Sequence, residues 1–186
     1  DQIAFKFGST GKITNSTFTA YDITCSVSSP EIKNNTFNNA FISLTESSPT
    51  IQDNTFDNVA YPVLFIDECS PALSNLNMLS GVTNRGIRLT GTVNKDWTLQ
   101  NYGYPYFVTA AMTVNAGATL NIAENDTINF TGAYAINIGS SASSLGTLNA
   151  DKVILKGVTN STGDQLAFKF GSTGKVTNCS FTAVDL

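Results

Sequence analysis

The sequence predicts an all-β protein, a right-handed single-stranded parallel β-helix (a solenoid), with coils of about 19–23 residues. Three observations lead to this fold class. A short motif recurs through the first half of the chain, small polar residues dominate the composition, and the opening passage, residues 1–23, recurs from residue 164. A period of about 20 residues is typical of solenoids, whose short repeats bury an apolar face only by stacking on one another.

The short repeat is visible in three consecutive stretches, residues 13–31, 32–50 and 51–72, of which the third is slightly longer than the first two. Each contains short alternating apolar runs broken by Asn, Ser, Gly or Pro, a pattern of strands and turns. Leucine-rich repeats need a ladder of leucines and helical repeats need longer periods, so one coil of a parallel β-helix fits best. The aligned columns are Ile13, Ile32, Ile51 and Leu73; Phe18, Phe37, Phe56 and Met78; Asn15, Asn34, Asp53 and Asn75; Thr17, Thr36 and Thr55.

These columns predict the interior and the corners of the solenoid. Successive coils lie about 4.8 Å apart, so equivalent residues stack directly on each other. We expect the Phe18 column to fill the interior and the Asn15 column to pass amide hydrogen bonds between coils. Crossovers between parallel strands are right-handed in nearly all proteins, which predicts the hand of the coil.

The second half of the chain continues as short strands with less regular spacing. Turns rich in Gly, Ala, Ser and Asn separate them, as expected for solenoid corners. The predicted strands lie within residues 112–122, 126–130, 134–138, 146–150, 152–157 and 165–171.

The composition excludes several classes of function. Asn, Ser and Thr number 20, 18 and 24, which favours strands and turns over helices. Only ten residues are Lys or Arg and the formal net charge is −4, so we expect no nucleic-acid or anionic-membrane partner. Histidine is absent, which removes the commonest general base and transition-metal ligand. No apolar run in this segment is long enough to span a bilayer.

The long duplication pairs residues 1–23 with residues 164–186, and 17 of the 23 positions are identical. We call these segments the N-terminal passage and the C-terminal passage. The offset predicts a tandem array with a 163-residue period, of which residues 1–186 are an excised piece with targeting signals elsewhere. Near-identical units favour a polymer or a long stalk, because stacking adds length without a new core.

Residues 94–107 interrupt the repeat with a cluster of aromatic residues. One interpretation is an aromatic cap that covers an open end of the solenoid and blocks edge-to-edge pairing. The other is a platform for sugar rings, with Trp97, Tyr102, Tyr104 and Tyr106 as carbohydrate contacts.

No set of residues predicts catalysis. Most of the 14 acidic residues stand alone, whereas glycoside hydrolysis needs two carboxylates at one bond. The one acidic cluster is Asp67 and Glu68, with Glu46 one coil away, and it is either a weak Ca²⁺ candidate or a solvated edge. We therefore predict no enzyme activity and no cofactor or metal beyond that weak Ca²⁺ candidate.

Six Asn-x-Ser/Thr sequons occur, slightly more than the composition predicts by chance. Each is a possible glycosylation site in a secreted protein, although Asn15 and Asn34 also fit the role of ladder amides. The sequon asparagines are Asn15, Asn34, Asn125, Asn129, Asn160 and Asn178.

The three cysteines follow no metal-site or disulfide spacing. Cys25 shares the inward column of Leu44, so we expect it to be buried. Cys69 aligns with Ser47 near a turn and is expected to be accessible, which argues against a disulfide between Cys25 and Cys69.

The segment DWTLQNYGYPYFVTAAMTVNAGATLNIAENDTINF, residues 96–130, closely resembles the opening of right-handed parallel β-helix domains in large prokaryotic surface proteins. The NNTF coils, residues 13–80, resemble the pectin-lyase-like repeats of archaeal and bacterial envelope proteins. The sequence departs from that pattern at residues 124–126, where a Pro-Gly turn is commoner. The resemblance implies a cell-surface location of S-layer, sheath or adhesin type, but it implies function poorly. If the aromatic segment begins a β-helix as it does in those proteins, a junction between units lies near residues 81–108; the alternative is an uninterrupted helix across residue 92.

The function that the sequence favours is structural: an extracellular repeat protein of a surface layer, sheath or filament. Its expected partners are neighbouring repeats or subunits, and envelope polysaccharide. The first alternative is an adhesin or carbohydrate-binding module, and a less favoured one is a polysaccharide-degrading enzyme. Ice binding by the Thr17 column is disfavoured because a flat lattice needs paired ranks of threonines.

Overall fold

The computed structural model describes residues 1–158 and 163–185, so the sequon at Asn160 lies outside the described residues. The described residues contain no helix, and their strands pair in parallel in stacked coils of about 22 residues, a β-solenoid. This confirms the predicted fold class. The chain divides into two compact units, Asp1–Arg88 and Leu89–Leu186, and each is described by itself.

The first unit contains three parallel sheets, and each coil contributes one strand to each sheet. Within this unit the strand orders are β1-β4-β7-β10, β2-β5-β8-β11 and β3-β6-β9-β12. The strands are β1 (Gln2–Lys6), β2 (Lys12–Thr14), β3 (Thr17–Thr19), β4 (Asp22–Ser26), β5 (Glu31–Lys33), β6 (Thr36–Asn38), β7 (Ile42–Thr45), β8 (Thr50–Gln52), β9 (Thr55–Asp57), β10 (Val63–Ile66), β11 (Ala72–Ser74), β12 (Asn77–Met78) and β13 (Ile87–Thr90), which crosses the unit boundary.

The register of the first unit follows the columns of the sequence. Phe18 pairs with Phe37 and Phe37 with Phe56, and the Ile13 column stacks in the same way. The three phenyl rings are stacked, with centroids 5.0 and 4.8 Å apart. The constant offset between these coils, 19 residues, therefore places like side chains on each other in the core.

A buried ladder of amides lies beside the column predicted for that role. Asn35 and Asn54 are 1% and 0% exposed, and the backbone N–H of Asn35 donates to Asn54 Oδ1 at 3.0 Å. Their side-chain amides donate to the carbonyl oxygens of Ile13 and Ile32 at 2.9 and 2.8 Å. The backbone N–H of Ser16 donates to Asn35 Oδ1 at 3.0 Å, so the ladder connects three coils.

The predicted Asn15 column has a backbone role at an exposed corner. Asn15, Asn34, Asp53 and Asn75 have φ values of 52°, 55°, 55° and 53°. Asn and Asp adopt this left-handed region more readily than other non-glycine residues. One predicted amide bond is present, from Asn75 Nδ2 to Asp53 Oδ1 at 3.0 Å. The main function of the column is to turn the chain, and the adjacent column carries the interior hydrogen bonds.

The second unit has the same three-sheet organisation. Its strand orders are β16-β19-β22-β25, β14-β17-β20-β23 and β15-β18-β21-β24. The strands are β14 (Thr92–Val93), β15 (Trp97–Leu99), β16 (Tyr106–Val108), β17 (Met112–Val114), β18 (Thr119–Ile122), β19 (Thr127–Phe130), β20 (Ala135–Ile138), β21 (Thr147–Asp151), β22 (Ile154–Lys156), β23 (Gln165–Phe168), β24 (Thr173–Thr177) and β25 (Ser180–Thr182).

Some coils of the second unit are longer than the range that the sequence predicts. Asn149 Nδ2 donates to Asn121 Oδ1 in the coil 28 residues earlier, whereas the Asn35–Asn54 step spans 19 residues. The additional residues lie in loops between strands, such as residues 139–146 between β20 and β21. Apolar pairs such as Leu120 with Leu148 keep the strands in register, so loop length varies while the core does not.

The prediction for Cys69 is wrong. Cys69 is 1% exposed, because its column, which includes Ser28 and Ser47, faces inward, and its Sγ donates to the carbonyl oxygen of Ile66 at 3.3 Å. Cys25 is 1% exposed, as predicted. Burial raises the pKa of the Cys25 thiol to about 12 and that of Cys69 to about 11, and neither cysteine forms a disulfide.

The two passages form two separate coils with the same arrangement of strands and turns. Strands β1, β2 and β3 of the N-terminal passage recur as β23, β24 and β25. Each passage closes onto its next coil in the same way: the N–H of Asp22 donates to the carbonyl of Asp1 at 3.3 Å, and Asp185 donates to Asp164 at 3.0 Å. Left-handed φ values recur at the same four positions, Phe7, Gly8, Asn15 and Ala20 in one passage and Phe170, Gly171, Asn178 and Ala183 in the other.

Candidate functional site

The aromatic segment 94–107 forms part of a coil. Trp97 pairs with Leu120 and Tyr106 with Ile128, and these two aromatic side chains are 2% and 0% exposed. The expected carbohydrate contacts at Trp97 and Tyr106 are therefore corrected: both rings fill the core and offer no face to a sugar. Tyr102 and Tyr104 are partly exposed.

Tyr104 borders a polar cleft of about 320 Å³ on the second unit. The cleft lies where the loop before β16 passes the loop before β19 and the end of β22. Asn129 lies in the middle of the cleft, because it pairs with Phe107 in the coil on one side and with Lys156 in the coil on the other. The lining residues are Asn101, Gly103, Tyr104, Pro105, Asn125, Asp126, Thr127, Asn129 and Lys156.

Asp126 is the only carboxylate among the residues that line the cleft, and it is 3% exposed. Its Oδ1 accepts the backbone N–H of Thr127 at 2.8 Å, whereas its Oδ2 has no hydrogen-bond partner among the described residues. Burial raises the pKa of Asp126 to about 6, against the opposing effect of the Thr127 hydrogen bond. A buried carboxylate with one unpaired oxygen favours its neutral form.

The cleft has the chemistry of a site for neutral polyhydroxylated ligands. The amides of Asn101, Asn125 and Asn129 both donate and accept hydrogen bonds. Tyr104 adds an aromatic ring with one polar end, and Lys156 adds a cation at the exposed rim. One carboxylate alone does not provide the pair of acids that glycoside hydrolysis uses.

Two of the acidic residues predicted as a weak Ca²⁺ site lie at neighbouring corners, because the pairing of Ile66 with Thr45 places Asp67 next to Glu46. Among the described residues, no three His, Cys, Asp or Glu side chains are grouped to hold a metal ion, so Glu46, Asp67 and Glu68 do not form such a site. Glu46 and Asp67 occupy left-handed corner positions, with φ of 45° and 57°. Both residues therefore turn the chain at a corner of a coil.

The described sequon asparagines lie at the surface. Asn15, Asn34, Asn125 and Asn178 are exposed and have left-handed φ values, so each is at a corner of a coil. Asn129 is a partly exposed strand residue. Asn125 and Asn129 both line the polar cleft, so a glycan on either one would compete with a ligand for that space.

A second candidate site is the surface on which the C-terminal passage packs, where its strands pair with those of the preceding coil. Strands β20, β21 and β22 pair with β23, β24 and β25. Asp151 is the polar centre of this contact: its Oδ1 accepts from Thr177 Oγ1 at 2.6 Å and from Asn178 Nδ2 at 2.8 Å. These two donors hold the pKa of Asp151 below its usual range. We call strands β20–β22 the seat.

Sequence reasoning missed Asn101, Asp126 and Lys156 in the cleft and Asp151 in the seat. Asp126 lies in the 124–126 segment, where the sequence departs from the pattern that it resembles, and that departure was the one signal in the sequence. Asn101, Lys156 and Asp151 contact residues 23 to 27 positions away in the neighbouring coil, and no regular period in the sequence indicates these offsets.

Comparisons of this chain with protein-family models, with curated proteins and with solved structures found no match. Among the described residues no helix is long and apolar enough to cross a membrane.

Proposed function

We propose that this chain is part of a structural repeat protein in which 163-residue β-solenoid units stack into a stiff rod. The observation that carries this proposal is the close conformational similarity of the two passages. The same strands, the same four left-handed turns and the same closing hydrogen bond recur one period apart. A unit that ends on the coil with which the next unit begins adds length with no change of core.

We further propose that this rod is extracellular, as a component of a surface layer, sheath or filament. The exposed corners carry Asn15, Asn34, Asn125 and Asn178 in sequons, which suits a glycosylated surface. Buried thiols with raised pKa values in Cys25 and Cys69 leave the core unreactive towards oxidants. Both features support a protein that remains outside the cell, in contact with oxidants, for long periods.

Negative-stain electron microscopy of proteins with one, three and five 163-residue units tests the rod. With coils of about 22 residues spaced by about 4.8 Å, each added unit should lengthen the particle by roughly 35 Å. Straight particles of constant width are expected. Strings of separate beads joined by bends of variable angle would overturn the proposal.

A second candidate function, carbohydrate binding of the adhesin type, is favoured by the polar cleft at Tyr104. Its amide groups and one aromatic ring are the groups that bind sugar hydroxyls and ring faces. Trp97 is unsuitable as a probe, because it is buried and its loss would disturb the core.

A glycan array with unglycosylated protein tests the cleft. We expect Tyr104→Ala and Asn129→Ala to reduce glycan binding at least about tenfold, which corresponds to about 1.4 kcal/mol. Tyr134→Ala is the matched control, because Tyr134 is a partly exposed tyrosine of the same unit outside the cleft. No binding to any glycan, or equal loss in all three variants, would exclude this function.

A further inference from the structure

The strands of the N-terminal passage have one unpaired edge. Within the described residues β1, β2 and β3 stand at the ends of their sheets and pair with β4, β5 and β6 on one side only. Ile3 on that edge is 40% exposed. An unpaired parallel edge with exposed apolar side chains is a template for another strand.

The same molecule contains the partner that fits this edge. The equivalent strands β23, β24 and β25 are paired on that side with the seat, strands β20–β22. Leu166, the equivalent of Ile3, pairs with Ile136 and is 0% exposed. The exposure of this repeated position therefore differs between the two passages, 40% at Ile3 and 0% at Leu166.

We propose that the unpaired edge of β1–β3 binds the seat of another copy of the 163-residue unit, in the register that the C-terminal passage already shows. This inference rests on the proposed stacking of units and adds its residue-level register. Ile138 would then pair with Phe5, Ala150 with Ile13 and Leu155 with Phe18, as they pair here with Phe168, Val176 and Phe181.

In this register the hydrogen bonds that Asp151 of the seat accepts would also form between two units. Thr177 and Asn178, which donate to Asp151, correspond to Thr14 and Asn15 of the N-terminal passage. Thr14 and Asn15 are exposed here. In the junction, Asp151 of one unit accepts hydrogen bonds from Thr14 and Asn15 of the next.

Five of the six differences between the passages are compatible with this exchange. Four keep size and character, as in Ile3 and Leu166. The hydroxyl of Ser16 replaces the thiol of Cys179, which donates to the carbonyl of Thr177 at 3.2 Å, and Ser16 Oγ donates to the equivalent Thr14 carbonyl at 3.0 Å. Ser16 and Cys179 therefore make the same hydrogen bond within their own passages.

The backbone at Gly174 lies very close to the backbone of Leu148 in the seat, and this provides a second test of the junction. A Cβ on Gly174 would collide with the carbonyl oxygen of Leu148 in the seat. The equivalent Gly11 is not opposed by a seat, and a Cβ there meets only the ring of Phe5, at 3.0 Å. Once the junction forms, Gly11 must face Leu148 of the other unit in the same way as Gly174 does here.

Disulfide trapping in a two-unit protein, residues 1–163 followed by the full chain, tests the register. Ile154→Cys in the first unit and Thr17→Cys in the second should cross-link under mild oxidation, because Ile154 pairs here with Ser180, the equivalent of Thr17. Every variant also carries Cys179→Ser. Ile154→Cys with Ser180→Cys in the single chain is the positive control, and Ile154→Cys with Thr14→Cys is the out-of-register control.

Cross-linking in the positive control and the two-unit protein, without cross-linking in the out-of-register control, supports the proposal. A positive control that cross-links while the two-unit protein does not would overturn it. As a second measurement, Gly11→Ala should lower the unfolding midpoint more in the second unit than in the first; equal effects would also overturn it. If electron microscopy shows rods but the disulfide does not form, the proposed junction is wrong and the structural function stands. If the disulfide forms but no rods are seen, the structural function is wrong and the junction stands.

Discussion

The ring of Phe37 lies on the ring of Phe56 with their centroids 4.8 Å apart and their planes 10° apart, and both side chains are 0% exposed. Phe37 also stacks on Phe18, so it is the middle ring of three. We expect Phe37→Ala to lower the free energy of unfolding by about 3–5 kcal/mol, because it leaves a cavity between two rings. Urea denaturation measures this. Phe7→Ala, at a side chain that is 90% exposed, is the control and should cost less than about 0.5 kcal/mol.

The buried amide ladder predicts a large cost for Asn54→Ala. This change removes the acceptor of the Asn35 N–H and the donor to the Ile32 carbonyl, both in the interior. Each unsatisfied buried group costs about 1–3 kcal/mol, so for the two groups we expect a loss of about 2–6 kcal/mol in the free energy of unfolding. Asn77→Ala, at an exposed strand position, should cost less than about 0.5 kcal/mol. Similar costs at the two positions would show that the ladder does not stabilise the coil.

Asn34 lies in the corner column, so we expect its left-handed backbone conformation to decide which residues can replace it. Its φ of 55° suits glycine and is unfavourable for a β-branched residue. We expect Asn34→Val to lower the free energy of unfolding by about 1–2 kcal/mol and Asn34→Gly to leave it within about 0.5 kcal/mol. Thermal unfolding followed by circular dichroism compares the two. A valine variant as stable as the glycine variant would contradict the left-handed corner.

The raised pKa of Asp126 predicts a pH dependence of stability with a definite sign. Its pKa is about 6 in the folded state and 3.8 in the reference state, so the folded protein binds more protons between these values. Stability from this group is therefore present below about pH 4 and is lost as the pH rises through about 6. The loss should be of order 1–3 kcal/mol.

Asp126→Asn tests this assignment, because an amide keeps an acceptor for the Thr127 N–H and does not ionise. The free energy of unfolding of the variant, measured in urea from pH 4 to 7, should lack this decrease. Asp53→Asn is the control at an exposed corner carboxylate and should leave the decrease in place. A decrease of the same size in Asp126→Asn would show that another group titrates.

The columns of the first unit could be predicted because its coils have nearly constant length. With an offset of 19 residues between coils, Phe18, Phe37 and Phe56 align without gaps, and the structure pairs them in that register. The amide ladder could not be assigned to the right column. Asn34 and Asn35 are both asparagines, and the left-handed turn at Asn34 shifts the alternation so that Asn35 faces inward.

The polar cleft and the seat were beyond sequence reasoning for a different physical reason. Loops of unequal length separate the strands of the second unit, so no fixed period relates Asn129 to Lys156 or Asp151 to Thr177. The aromatic residues were visible, but alternation alone did not show that Trp97 and Tyr106 face the core while Tyr104 remains at the surface. The carbohydrate contacts at Tyr102 and Tyr104, the glycosylation sites and the assembly stay predictions.

The central claim is that the two passages are one coil formed twice, and backbone NMR chemical shifts of the full chain test it most directly. Shifts of the backbone nuclei report the sign of φ at each residue. We predict left-handed φ at Asn15 and Asn178 and at Ala20 and Ala183, with extended values for the strand residues between them. Opposite signs of φ at either pair, or helical or random-coil shifts throughout the C-terminal passage, would contradict the claim.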